Sequence, residues 1–410
     1  MKVKFLTLGC KVNQYETQAL REDCVREGFE VTEDRADVYV VNTCSVTHRA
    51  DRKSREAIGK ARRENPGGKI AAIGCLAELN RDMLIRLGVD YVLSQKEKYS
   101  LGDVLRGREG KTISPWSLSV TESSLHRAFV KIQDGCDNFC TFCKIPHLRG
   151  PSRSRGAQDI IAEIKRLCVR HPEIVLCGVN ASLYGKDIGP QADLCRLIRR
   201  CLDIRGLRRL RLSSLESLYL DERLLELLVH PKFCPHLHLS FQSGDDRILQ
   251  AMNKKETAAQ YRKIISQART IHPDTAISGD IIVGFPGEDR ESFDRTVGFL
   301  EEIRPMRLHV FQFSPRAKTP LEHTRMGDQK EIKRRSVRLK SLAKEWAYAY
   351  AKTFAGRRVR VIAEEKKGKY FCGYSQHYLR VNFTGDVPLG EMVQVKITRV
   401  SHKGIYGVIV

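Results

Sequence analysis

Between residues 2 and 311 the chain keeps one beat: a short apolar run, a turn, then a segment whose apolar residues recur at helical spacing. Strands that alternate with helices pair in parallel, because each helix carries the chain back over a face of the sheet. The first three strands are expected at residues 2–8, 37–41 and 69–73, with helices over 16–27 and 48–64 and another from about residue 77. A mixed stretch over 101–125, with scattered Gly, Pro and Ser, reads as a linker. Six further strands are expected at 129–133, 173–177, 210–214, 238–241, 276–282 and 308–311. Helical spacing fills the gaps at 157–170, 192–202, 221–229, 245–270 and 290–302. The expected fold class is therefore α/β: an N-terminal open parallel α/β sheet domain over 1–110 and a central incomplete (β/α)6 barrel over 127–350. A long basic helix is expected over 330–352, with Trp346, Tyr348 and Tyr350 as core or interface. Residues 351–410 turn to strands at 358–364, 370–374, 378–383, 392–400 and 404–410, a small all-β, OB-like barrel.

The cysteines follow this beat. Each of the first three strands ends in one: Gly9-Cys10, Asn42-Thr43-Cys44 and Gly74-Cys75. In an open parallel sheet the C-terminal strand ends gather along one edge, where helix N-termini favour thiolates. Cys10, Cys44 and Cys75 can therefore converge, although a buried Cys is also an ordinary core residue. The loop after the first barrel strand reads Cys136-Asp-Asn-Phe-Cys140-Thr-Phe-Cys143. Its three thiolates can hold three irons of one cubane and leave the fourth open for chemistry. A structural zinc site with a fourth ligand from elsewhere is the alternative. The remaining cysteines, Cys24, Cys168, Cys177, Cys195, Cys201, Cys234 and Cys372, match no cluster motif and are expected to pack.

Thirteen cysteines with no secretory leader and no apolar stretch of membrane-spanning length point to a cytoplasmic protein whose clustered thiols bind metal. The formal net charge of +22 favours a polyanionic partner, nucleic acid before membrane. Arg149, Arg153 and Arg155 follow the cysteine loop, placed to meet phosphates or to pair with carboxylates, and residues 196–211 hold a second dense basic group.

The stretch from Gln133-Asp-Gly-Cys136 through Ile145-Pro-His-Leu-Arg-Gly150 resembles the signature of radical S-adenosylmethionine (SAM) enzymes, and more narrowly that of the methylthiotransferases. Gly-Cys10-Lys-Val-Asn-Gln, Asn-Thr-Cys44-Ser-Val-Thr and Gly-Cys75-Leu-Ala-Glu resemble the cysteine motifs of that family's N-terminal domain. The resemblance implies two 4Fe-4S clusters and SAM. Cys10, Cys44 and Cys75 would hold the cluster that carries the sulfur to be inserted. Cys136, Cys140 and Cys143 would be the catalytic ligands of the cluster that chelates SAM. Phe142, Glu216 and Gln242, at or near strand ends, are the implied SAM contacts. The last unit resembles the TRAM domain of RNA-modifying enzymes. Implied partners are tRNA, an electron donor such as a flavodoxin or ferredoxin, and a sulfur source.

Gly9 through Glu16, with Gln133-Asp-Gly135, most resembles the branch acting on N6-threonylcarbamoyladenosine beside the anticodon. Sister branches act on isopentenyladenosine in tRNA or on an aspartate of a ribosomal protein. Lys144, His147, Cys177 and Ser217 depart from the family pattern, which usually has an apolar residue, Tyr, Thr and Pro there. A zinc-stabilised nucleic-acid-binding protein is the non-catalytic alternative. A nucleotide-binding oxidoreductase is disfavoured, because no G-x-G-x-x-G follows the first strand.

Overall fold

The computed structural model describes residues 1–189 and 191–410. Five parallel strands form the N-terminal sheet, in the order Glu30–Val31, Lys2–Thr7, Val38–Thr43, Lys69–Gly74, Tyr91–Val92. Val38–Thr43 is buried along its whole length, as a Val-Tyr-Val-Val run between two helical layers must be. Leu20 and Cys24 of the Lys11–Arg26 helix pack on one face with Val3, Phe5 and Val40. Ile58 and Ala61 of the His48–Glu64 helix pack on the other with Tyr39, Val41 and Ala72.

The first helix starts directly after Cys10, earlier than residue 16, where the spacing predicts it. Its first turns were hidden from a periodicity reading because the helix serves two cores. Val12, Tyr15 and Ala19 turn away from the sheet and join the core of the barrel.

Six parallel strands make the central unit: Arg127–Asp134, Glu173–Gly178, Arg209–Leu212, His236–Gln242, Ala276–Val283 and Arg307–Gln312. The third does not run unbroken to residue 214. It stops at Leu212, and Ser214–Leu215 resumes alongside the fourth, so the ladder divides into two sheets. Side chains alternate between the two surfaces of a strand. The outer surface carries Val130, Ile132, Ile174, Leu176, Leu210, Leu237 and Leu239, all packed in one core with the surrounding helices. The inner surface carries the alternate positions, among them Lys131, Cys177, Arg211, His236, His238, Ser278 and Asp280. That polar wall is what makes the lumen a place for chemistry.

Two arginines of the 196–211 group are not surface charges. Arg209 and Arg211 are fully buried, and both pair with Glu173. They also donate to the Tyr374 and Ser375 carbonyls of the last unit at 2.9 Å each, so they pin that unit beneath the barrel. The Gln329–Lys352 helix buries Ile332, Leu339, Ala343 and Trp346 against the barrel. Tyr350 donates to the Asp274 carbonyl at 2.7 Å, and Tyr348 stacks on His402.

The last unit has six strands rather than five, ordered Arg358–Ile362, Met392–Ser401, Gly404–Ile409, Arg380–Thr384, Tyr370–Tyr374, Glu365–Lys367. The extra strand arises because the first ends at Ile362, and Glu365–Lys367 then pairs back on Tyr370–Tyr374 across Gly368, whose φ of +57° closes the turn. A bridge between Val361 and Ser375 curls the sheet on itself. No helix among the described residues is long and apolar enough to cross a membrane.

Candidate active site

The three N-terminal strand ends are sewn together by side-chain amides and hydroxyls. Asn13 donates to the carbonyls of Leu8 at 2.8 Å and Thr43 at 3.1 Å, joining the first two strand ends. The Thr43 hydroxyl donates to Ile73 O at 2.6 Å and accepts from Leu76 N at 3.0 Å, joining the third. A Cβ on Gly9 would lie 2.9 Å from the Cys44 sulfur, so only glycine lets that sulfur rest against the backbone beside Cys10. Burial, and after it the nearness of Cys75 and Cys10, pushes the Cys44 thiol up to about 11. The Cys75 sulfur accepts from the Gln95 amide at 3.6 Å.

The second triad sits on one loop, held from outside. Gly135 has φ +75°, and a Cβ there would lie 1.9 Å from Pro151 O. Cys136 N–H donates to Gly150 O at 3.1 Å, Thr141 N–H to Met252 O at 3.0 Å, and the Asn253 amide to Phe139 O at 3.0 Å. Phe142 packs edge-on against Phe285 in a small apolar cluster with Ile248, Met252 and Phe313, where it anchors the loop. Burial, then Cys136, Glu216 and Cys75, pushes the Cys143 thiol up to about 11. Lys144, next to Cys143, donates to the Ser45 hydroxyl, next to Cys44, at 2.5 Å, so the two triads face each other across the domain boundary, and the space between them is the chamber of this site.

The donor sets fit iron–sulfur cubanes better than single zinc ions. Tetrahedral zinc at about 2.3 Å from each sulfur would hold the sulfurs about 3.8 Å apart. Among the described residues, the three-residue group with all its ligand atoms within 4.8 Å is His238, Asp280 and His309, and neither cysteine triad is so tight.

Glu216 reaches the cysteine loop, and Gln242 ends the fourth barrel strand. Glu216 accepts from Asn138 of the cysteine loop and from Lys254, the latter at 2.8 Å, so part of its charge is already matched. Gln242 sits at a bulge with φ +65°, and its amide has no hydrogen-bond partner among the described residues. Sequence reasoning missed Lys254 and the role of Asn180. Burial raises the Cys136 thiol and the Asn180 side chain beside it lowers it in part, while the buried Oδ1 of Asn180 has no partner. Only the position of Asn180 after a barrel strand hinted at this.

Two charged seams close the chamber. Glu16 accepts from Lys98 at 2.6 Å, Lys131 at 2.7 Å and Arg149 at 3.0 Å, while Asp134 accepts from Lys131 at 2.8 Å and Arg149 at 2.9 Å. All five side chains are buried. Arg155 pairs with Glu163 at 2.8 Å. For Arg149 and Arg155 the carboxylate alternative is therefore the observed one. Arg153 donates to Arg149 O at 3.1 Å.

In the second seam Lys144 donates to the Ser45 hydroxyl at 2.5 Å, and Arg316 pairs with Asp51 at 2.8 Å. Burial, helped by Arg316, pushes Lys144 down to about 8. A lysine is tolerated at this usually apolar position because the other domain supplies its partner. Of the other departures, His147 meets the edge of Phe139, Cys177 is buried near Cys10, and the Ser217 hydroxyl is buried without a partner.

Comparison with known proteins agrees with this division. The model of the uncharacterized protein family UPF0004 matches residues 2–94, and that of the Radical SAM superfamily matches residues 130–300. The threonylcarbamoyladenosine tRNA methylthiotransferase MtaB of Thermotoga maritima is 35% identical over 420 residues, covering 98% of this chain and 96% of that protein. MtaB of Bacillus subtilis is 35% identical over 429 residues, covering 98% and 94%. The tRNA-2-methylthio-N(6)-dimethylallyladenosine synthase of Fervidobacterium nodosum is 33% identical over 426 residues, covering 99% and 98%. Among solved structures, the radical S-adenosylmethionine methyltransferase TsrM from Kitasatospora setae has a TM-score of 0.59 at 13% identity over 78% of this chain and 75% of that one, a likeness of fold alone. With relatives matching from end to end and a cysteine triad at each side of one chamber, the chain belongs to the radical SAM methylthiotransferase family.

Proposed function

We propose that this protein is a tRNA methylthiotransferase that places a methylthio group on carbon 2 of N6-threonylcarbamoyladenosine beside the anticodon. The observation that carries the reading is that two cysteine triads, one from each domain, face each other where Lys144 beside Cys143 donates to Ser45 beside Cys44 at 2.5 Å. The MtaB relatives, matched over nearly the whole chain, support the choice of nucleoside.

Cys136, Cys140 and Cys143 would hold one 4Fe-4S cluster, the one at which SAM is cleaved, and Cys10, Cys44 and Cys75 would hold a second. When bound, these groups supply the sulfur, its methyl group and a 5′-deoxyadenosyl radical, reactivity that no side chain can bring to an inert C–H bond. The chain's own residues position and exclude. The Asn13 and Thr43 bonds fix the strand ends, and the buried seams keep water out. Gln242, with its free amide, is placed to take a polar group of SAM. Glu216 serves chiefly to brace the loop through Asn138. Phe142 contributes through the anchor on Phe285.

A polyanionic partner would find cations at a groove of about 740 Å³ between the Gln329–Lys352 helix and the last unit, lined by Lys340, Lys344 and Lys403. The chemistry also requires an electron donor of flavodoxin or ferredoxin type and a sulfur source.

Mass analysis of tRNA nucleosides from cells with and without the protein tests the reading. Loss of the 2-methylthio form of N6-threonylcarbamoyladenosine is expected. Loss of the isopentenyladenosine counterpart instead, or of neither, overturns it. Anaerobic analysis should find about eight irons per chain and no stoichiometric zinc.

A further inference from the structure

Four residues from two domains meet beside the triads. Lys144 follows Cys143 on the cysteine loop, and Arg316 lies just past the sixth barrel strand, which ends at Gln312. Opposite them stand Ser45, which follows Cys44, and Asp51 in the first turn of the His48–Glu64 helix. All four side chains are buried. Lys144 donates to the Ser45 hydroxyl at 2.5 Å, and that hydroxyl donates to Asp51 Oδ1. Arg316 donates to Asp51 Oδ2 at 2.8 Å and to the Ser45 carbonyl at 2.5 Å. One connected network thus ties two elements of the barrel to a single residue of the sheet domain.

That residue adjoins a proposed cluster ligand. Cys44 is also held from its own domain, where the Ser54 hydroxyl accepts from its N–H at 3.1 Å and donates to its carbonyl at 2.9 Å. The Cys44–Ser45 segment is therefore clamped from both sides of the domain boundary. Lys144 contributes this at a position where its family usually carries an apolar residue. An apolar side chain there offers Ser45 no donor, so this link between the triads belongs to the present chain. Chemistry that starts at one triad and ends at the other depends on their separation, and a misplacement of about 1 Å in such a reaction costs on the order of 100-fold.

We propose that Lys144 and Arg316 are positioning residues that set the separation of the two triads by holding Ser45, and with it Cys44, against the cysteine loop. The inference rests on the function proposed above. Its signature is uncoupling. The loop triad is pinned by Met252 and Asn253, so SAM is still cleaved there when the clamp is cut. The radical then takes its hydrogen atom from another C–H donor, and 5′-deoxyadenosine forms without a matching amount of methylthiolated tRNA.

The test gives the reconstituted full-length enzyme SAM, a reductant, sulfide and tRNA bearing N6-threonylcarbamoyladenosine. Methylthio product is counted per 5′-deoxyadenosine. In Lys144→Met, which keeps the length of the side chain and removes its charge, the ratio should fall by ~10- to 100-fold. Ser45→Ala removes the same bond and should lower the ratio as well, and the double variant should fall no further than Ser45→Ala alone. Hydrogen exchange without tRNA should show lost protection at residues 45–51 in the same variants. An unchanged ratio overturns the proposal. So does additive loss in the double variant, and so does an equal fall in product and 5′-deoxyadenosine, which marks a structural role alone. Iron is measured throughout. If Lys144→Met loses iron, Ser45→Ala, which alters no charge, decides the matter, and loss of iron from both overturns the proposal. Failure of the function reading looks different: the unsubstituted enzyme would then modify tRNA bearing isopentenyladenosine instead, and the ratio is read on that tRNA.

Discussion

The two cysteine triads reach one chamber by opposite routes. Cys136, Cys140 and Cys143 lie on a single loop, pinned by neighbours of its own domain such as Met252 and Asn253. Cys10, Cys44 and Cys75 come from three separate strand ends, and their geometry exists only when the sheet is complete. The sheet triad also leans on the partner domain, because Arg149 reaches both Glu16 and the surroundings of Cys75. A ligand set made locally tolerates loosening at the domain boundary, whereas one assembled over long range does not.

Removing a ligand from each side should break the comparison most sharply. Cys143→Ala is expected to abolish cleavage of SAM to 5′-deoxyadenosine. Cys75→Ala should lose about four of about eight irons yet retain that cleavage. Iron analysis together with chromatography of 5′-deoxyadenosine checks both, and loss of cleavage in Cys75→Ala would show that the triads are not separable.

Next in size is the buried seam. Glu16→Gln leaves Lys98, Lys131 and Arg149 short of a carboxylate, and breaking one member of such a network costs about 3–5 kcal/mol. Urea denaturation should register the loss, and iron should leave the sheet triad before the loop triad.

Acid probes a joint that serves neither triad. Burial alone would raise Glu173, but Arg209, Arg211 and Arg127 bring it down to about 2. A depressed carboxylate contributes stability above its ordinary pKa of 4.5 and loses it as pH falls toward 2, here on the order of 3 kcal/mol. Hydrogen-exchange protection at the Arg358–Ile362 strand, after correction for the intrinsic exchange rate at each pH, should therefore fall between neutral pH and pH about 3. The smallest effect sets the baseline. Arg170 and Glu122 form a pair 3.0 Å apart with side chains 70% and 60% exposed, and Arg170→Ala should change stability by at most about 0.5 kcal/mol.

Much of this architecture could be read from residues alone. The barrel strands fell within a few residues of expectation, because alternation of apolar and polar side chains is a local property. Three features escaped: the first helix begins at Lys11, the third barrel strand divides at Ser213, and Glu365–Lys367 forms a sixth strand in the last unit. Each depends on a partner distant in the chain: a second core, a neighbouring strand, or a hairpin closing back. Of the candidate site, the six cysteines proposed as cluster ligands stood out by spacing and strand-end position. Asn180 and Lys254 did not, since a lone polar residue has no signature until its partner is known.

The sequence by itself determined the order of strands and helices and the placing of a cysteine at three successive strand ends, because periodicity and spacing belong to neighbouring residues. Only the tertiary structure decided which charges are buried and which are free. Arg149 and Arg209 look no different in sequence from Arg199 or Arg200, yet the first two are buried and the last two exposed. The reason is physical: a buried charge must meet its counter-charge, and Glu16 stands 133 residues from Arg149.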